Sequence, residues 1–161
     1  MNTGSFSPLI SEIKAEKDHL QALVAELEEV LDGIDEEPTS VELRATGSIL
    51  HDYYTGLEKI FRLIALEVDG DLPSGSDWHK RLLDRMAAEI EEARPPAINK
   101  SLKEKLGEYL RFRHLFRHIY GFELNWNQCT PLAKNLKSLH KEIEEKLEEL
   151  EEFLRKIDQT Y

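Results

Sequence analysis

From Leu136 to Ile157 the apolar residues recur at spacings of three and four: Leu136, Leu139, Ile143, Leu147, Leu150, Leu154 and Ile157, with Glu and Lys crowded between them. Only an α-helix brings residues at that interval back to one face. A stripe of that length must be covered by other elements. No segment of the chain alternates apolar and polar residues for long enough to make a strand, so the cover is also helical.

The remaining helices announce themselves by their punctuation. Ser7-Pro8 is a start signal, with Ser as N-cap and Pro at the first helical position. Ile13, Leu20, Leu23, Val24, Leu27, Val30 and Leu31 then share a stripe, and Gly33 follows as a stop. Thr39 and Glu42 form a capping-box pattern. The helix they open carries Leu43, Leu50, Tyr54, Leu57, Phe61, Ile64 and Val68 and ends at Asp69-Gly70. Gly47 and Gly56 inside it mark a bend or a close approach by a neighbour. A third helix is expected from Ser76 or Asp77 to about Glu92, broken by Arg94-Pro95-Pro96. A fourth is capped by Asn99 or Ser101 and runs from about Lys100 to Ile119, with Gly121 as its stop. Thr130-Pro131 opens the last, which reaches about Asp158. The expected fold is all-α, a bundle of about five helices in a single domain over residues 1–161.

Composition excludes several function classes. The single cysteine, Cys129, allows neither an internal disulfide nor a cysteine-built metal site, and it suits a reducing cytoplasm. Met1 to Ser7 has no charged and apolar leader, and no apolar run approaches a membrane span. With 21 basic and 32 acidic residues the net charge is −11, so the chain cannot coat nucleic acid with its general surface. The charge is segregated, however. Residues 111–120 contain Arg111, Arg113 and Arg117 and no acid, and the other 18 basic and 32 acidic residues leave −14.

That decade carries the chemistry. At about 100° per residue, Phe112, Leu115, Phe116 and Ile119 form an apolar face. Arg111, His114 and His118 share a second face, and Arg113 and Arg117 a third, both expected to turn away from the core. An imidazole can take a proton from a ribose 2′-hydroxyl or return one to a leaving oxygen. Guanidinium groups supply fixed charge to a phosphate. Arg and His without an acidic cluster are the parts needed for metal-independent RNA cleavage, giving a 2′,3′-cyclic phosphate and a 5′-hydroxyl. No metal and no cofactor enter this reading.

Arg113-His114-Leu115-Phe116-Arg117-His118-Ile119-Tyr120 resembles the R-x4-H-x-Y motif of HepT-like ribonuclease toxins of the HEPN superfamily, with the polar residue after the arginine supplied by His114. The resemblance runs from the helix at 40–68 through Trp78-His79 and Arg94-Pro95-Pro96 to Phe122. It implies the toxin of a type VII HEPN/MNT toxin–antitoxin pair. Such a toxin is a cytoplasmic homodimer whose two motifs form one RNA-cleaving cleft. It implies His118 as general acid/base, Arg113 as phosphate binder and His114 as assistant, with Arg111 and Arg117 as further phosphate contacts. Arg111 also satisfies a looser R-x4–6-H spacing. The resemblance implies that an MNT-type nucleotidyltransferase antitoxin silences the toxin by AMPylation, moving AMP onto Tyr120. The dimer would answer one difficulty: Arg113 and His118 are about 140° apart on one helix and need not converge in one chain, whereas a two-fold dimer can bring Arg113 of one copy toward His118 of the other.

Blander readings stand beside these. The Arg and His residues could form a polar helix face pairing with the many Glu residues. His114 and His118 could bind zinc, although no third ligand is evident. Tyr120 could be a packing residue. Arg117 is more a steering group than a catalytic one. His51 and Asp52 should point apart on a helix surface. Trp78-His79 should cap and pack, or line the cleft if it faces the motif. Cys129 should be inert. The acidic stretch 141–158 should be a solvated face supported by Glu142–Lys146 and Glu151–Arg155, or a partner surface. Two rival functions remain: a non-catalytic HEPN module that binds nucleotide or nucleotidyltransferase, and a helical adaptor using the acidic helix.

Overall fold

The computed structural model describes residues 4–160, so the start of the Met1–Ser7 stretch lies outside the described residues. Its elements are α1 (Ser7–Asp32), α2 (Ser40–Ile64), α3 (Trp78–Met86), α4 (Lys100–His118) and α5 (Trp126–Thr160). No strand occurs among the described residues, and the architecture is the expected all-α, HEPN-type bundle. No helix is long and apolar enough to cross a membrane among the described residues.

The central element is α2, which touches all four other helices. Its burial follows from its sequence: Ile49, Leu50, Tyr53, Tyr54, Leu57, Ile60, Phe61 and Ile64 cover too wide an arc to face one neighbour. The capping box that opens it is formed as read, with Glu42 N–H donating to Thr39 Oγ1 and Thr39 N–H to Glu42 Oε1. Beyond Ile64 the chain makes a π-turn over Ala65–Asp69 and stops at Gly70, whose φ of 98° is left-handed. At Gly47 the expected close approach is real. A Cβ there would lie 2.7 Å from Leu124 and 2.9 Å from the Phe116 ring, so the end of α4 and the following connector sit directly on the α2 backbone.

Three boundaries differ from the sequence reading. First, α1 is capped by Phe6 rather than Ser7, because Ser5 Oγ accepts from Ser7 N–H and the Asp158 carboxylate accepts from Phe6 N–H. Second, α3 stops at Met86 instead of continuing to Glu92. Arg94 is the cause. Its fully buried guanidinium forks onto the Asp69 carboxylate at 2.7 and 2.9 Å and donates its remaining N–H groups to the carbonyls of Arg85, Ala88 and Pro95. That guanidinium satisfies the end of α3 and folds residues 87–96 back beneath it. Third, α5 begins at Trp126, five residues before Pro131. Asn125 and Gln128 cap it reciprocally, each side-chain oxygen accepting from the other's backbone N–H. Pro131 is therefore carried inside the helix.

The α5 stripe is buried as expected from Leu136 to Leu154, and Ile157 is half-buried against the core. The charges between are partnered differently. Glu151 is 2% exposed and takes Lys17 of α1 at 2.9 Å rather than Arg155, while Glu142 takes Lys105 of α4 rather than Lys146. Both pairs tie helices together; they do not support a single solvated face. Cys129 is fully buried, and burial pushes its thiol up to about 11.

Candidate functional site

The last two turns of α4 lie against α2, and the arginines there do not behave alike. Arg113 and Arg117 form a stripe that meets a matching stripe on α2, namely His51, Thr55 and Glu58, at four- and three-residue spacing. Arg113 therefore turns inward. This corrects the expectation that its face points away from the core. The residue is 2% exposed, and its guanidinium forks onto Glu58, itself nearly buried, at 3.1 and 2.9 Å. Thr55 Oγ1 lies at 3.4 Å and His79 Nδ1 at 2.9 Å, and the guanidinium sits 4.9 Å from the centroid of the Tyr54 ring. A buried carboxylate and a buried guanidinium need one another, because either alone would carry a heavy desolvation cost. Burial, with the Glu58 carboxylate next, drives the Tyr54 phenol far above its ordinary range.

Arg117 is exposed, and its Nε donates to His51 Nε2 at 3.0 Å. That acceptor role leaves His51 Nδ1 with the proton, 3.1 Å from Asp52 Oδ1. The adjacent His and Asp, expected to point apart, are joined, and His51 also packs on Phe116 with ring centroids 5.4 Å apart.

Arg111, His114 and His118 are all exposed, as the helical bookkeeping required. The two imidazoles lie together with centroids 4.3 Å apart. His118 Nδ1 donates to the His114 carbonyl at 2.7 Å. A backbone carbonyl can only accept, so Nδ1 carries a proton, and in the neutral imidazole Nε2 is the nitrogen that keeps its lone pair. Among the described residues Arg111 has Glu108, 3.7 Å away and itself exposed, as a loose ion-pair partner. The helix ends at His118, and Ile119 leaves it in an extended conformation. Tyr120 is then 71% exposed and stacks on Phe122, 75% exposed, with planes 5° apart. Tyr120 is thus not a packing residue of this chain's core.

The structure brings together Arg111, His114 and His118 on one exposed stripe, with Arg117 beside it and Tyr120 just beyond. It separates Arg113 from them. Glu58, Thr55 and His79 join the arrangement, and of these only His79 was singled out from sequence. The readable signal for Glu58 was its position beside Leu57 and before Ile60, a charge set in the apolar arc of a central helix. Among the described residues no three His, Cys, Asp or Glu side chains converge as a metal-holding group.

No curated protein and no solved structure matches the chain. A family model described as HepT-like protein matches residues 45–154, from the first turns of α2 to near the end of α5. That span holds every residue of the stripe and of the Glu58–Arg113 pair and covers well over half the chain, which therefore belongs to the HepT-like protein family.

Proposed function

We propose that the chain is a HEPN-type toxin whose α4 stripe cleaves RNA without a metal ion. The observation that carries this reading is His118. Its Nδ1–H is held by a carbonyl, which in the neutral ring makes Nε2 the basic nitrogen of an exposed side chain beside a second imidazole, the arrangement a general base needs. Nε2 takes the proton of a ribose 2′-hydroxyl, the 2′-oxygen attacks the adjacent phosphorus, and the 5′-oxygen leaves with a proton returned from an imidazole. His114, 4.3 Å away ring to ring, is placed to assist in that return. Arg111 and Arg117, both exposed, are the groups that hold the phosphate and its developing charge. Arg113, first expected in that role, is neutralised by Glu58 within one chain and holds α4 in register on α2. Two copies meeting through this stripe and the exposed Tyr120–Phe122 pair would double the positive cleft. The test is RNA cleavage in the presence of a chelator. His118→Ala should lose at least about 100-fold in rate, the usual worth of acid–base catalysis, with its melting curve intact. Equal rates would remove the assignment.

The exposure of Tyr120 supports it as the acceptor of AMP from a nucleotidyltransferase antitoxin. The adduct would add negative charge and bulk beside Arg117 and His118. Intact mass after co-expression with such an enzyme should rise by whole AMP units that disappear in Tyr120→Phe. Unchanged mass would count against this form of control. A second reading, a non-catalytic module that docks a nucleotidyltransferase, is favoured by one observation: the motif arginine is already paired.

A further inference from the structure

The stripe that α4 lays against α2 holds two arginines, and they meet different partners. Arg113 forks onto the Glu58 carboxylate, which cancels its charge. One turn on, Arg117 donates its Nε–H to His51 Nε2 at 3.0 Å. A neutral imidazole accepts that bond and takes no charge away. The tautomer is fixed from the other side of the ring, where the Asp52 carboxylate, which can only accept, lies 3.1 Å from Nδ1. Both contacts call for the same state, a proton on Nδ1 and a lone pair on Nε2. The ring is also held in place. It packs on Phe116 with centroids 5.4 Å apart, and its side chain is 19% exposed against 55% for Asp52. Among the described residues Arg117 forms no ion pair. A guanidinium carries five donors in a planar fork, so with Nε–H used the end formed by its two Nη groups is left for a ligand.

We infer that His51 is a positioning residue for RNA binding. With Asp52 behind it, it presets the Arg117 guanidinium, whose Nη end then takes a phosphate of the strand bound at the α4 stripe. The inference rests on the RNA reading above and extends the site from α4 onto α2. An exposed arginine samples many rotamers, and ordering it on binding costs affinity; a bond made beforehand removes part of that cost. A carboxylate in the place of His51 would hold Arg117 equally well and neutralise it, as Glu58 does to Arg113 one turn earlier. The imidazole fixes the group and leaves its charge in use. The Asp52 charge stands one ring farther off in an exposed side chain, so it offsets Arg117 far less than a direct ion pair would.

The experiment is a double-mutant cycle on the full chain, read as the Kd for a single-stranded 2′-O-methyl oligoribonucleotide by fluorescence anisotropy. His51→Leu keeps an apolar cover on Phe116 and removes the acceptor, whereas His51→Gln places a side-chain carbonyl near the Nε2 position. His51→Leu should weaken binding about fivefold, the worth of one net hydrogen bond, and His51→Gln should stay within about twofold of wild type. In an Arg117→Ala background His51→Leu should change nothing further, because the group it orients is gone. Should His51→Leu not fold, His51→Asn, whose polar atoms end near Nδ1, takes its place in the cycle. Wild-type affinity in His51→Leu would overturn the inference. So would the same loss with and without Arg117, which would mark His51 as a direct RNA contact or a packing residue. If Arg117→Ala binds as tightly as wild type, the inference falls while cleavage at His118 stands. If the wild-type chain binds the strand but cuts no cleavable RNA, the cleavage reading fails and the cycle still decides the role of His51. If it binds no RNA, both fall.

Discussion

The two arginines two residues apart in α4 show how far a half-turn of helix separates roles. Arg111 is exposed with one distant carboxylate, and Arg113 is sealed against Glu58. Their substitution should therefore read out differently. Arg113→Ala leaves Glu58 as an uncompensated buried charge and should cost about 3–5 kcal/mol of stability. Arg111→Ala should stay within about 0.5 kcal/mol, as surface changes do, and lose RNA affinity instead. Urea titration of the two variants checks this, and equal stabilities would show that the Glu58 pair does not hold α4 on α2. At this scale the sequence was partly transparent. Helical angles correctly grouped Arg111, His114 and His118 and correctly grouped Arg113 with Arg117. They could not say that the second group faces α2, because an angle about an axis does not name the neighbour on that side. The missing partner, Glu58, sits 55 residues away.

Among the elements, α5 draws its hold on the bundle partly from a buried polar cluster. His140, 2% exposed, meets Tyr53 of α2 through Nδ1 at 2.8 Å and Glu144 through Nε2 at 2.6 Å, and Lys17 of α1 lies close enough to add its charge. Burial, against the opposing pull of Glu144, holds the His140 pKa below its ordinary 6.5. The unfolded chain thus binds a proton that the folded chain resists. Stability from this group is complete above pH 6.5 and falls as the pH drops below that value, levelling only beneath the folded pKa. The melting temperature should decrease from pH 7.5 to 5.5, and His140→Gln should flatten that dependence; a variant with the full wild-type slope would place its origin elsewhere. Element ends were legible where the signal was local, as in the Thr39–Glu42 box and the Asn99 cap, which accepts from Leu102 N–H. They were misread where a distant side chain set them. Arg94 ends α3 through its pair with Asp69, and the Asn125–Gln128 cap starts α5 upstream of a proline that looked like the beginning.

For the molecule as a whole, the segregation of charge keeps its meaning but changes its shape. Of the three arginines in an acid-free decade, one is paired with Glu58, so the exposed positive charge of that decade is Arg111 and Arg117, beside the two imidazoles. The other 18 basic and 32 acidic residues leave a net negative surround, which on the proposed reading would keep RNA contact to this stripe and to its counterpart in a second copy. Membership of the HepT-like family accords with that economy. On the proposed reading, RNA held at this stripe is cut by attack of the RNA's own 2′-hydroxyl, with His118 moving the proton. The most direct measurement is the chemistry of the ends left on an RNA cut by the purified chain. A 2′,3′-cyclic phosphate on one fragment and a 5′-hydroxyl on the other are expected. Fragments ending in a 3′-hydroxyl and a 5′-phosphate would contradict that reading, because those ends require an outside water rather than the ribose as nucleophile.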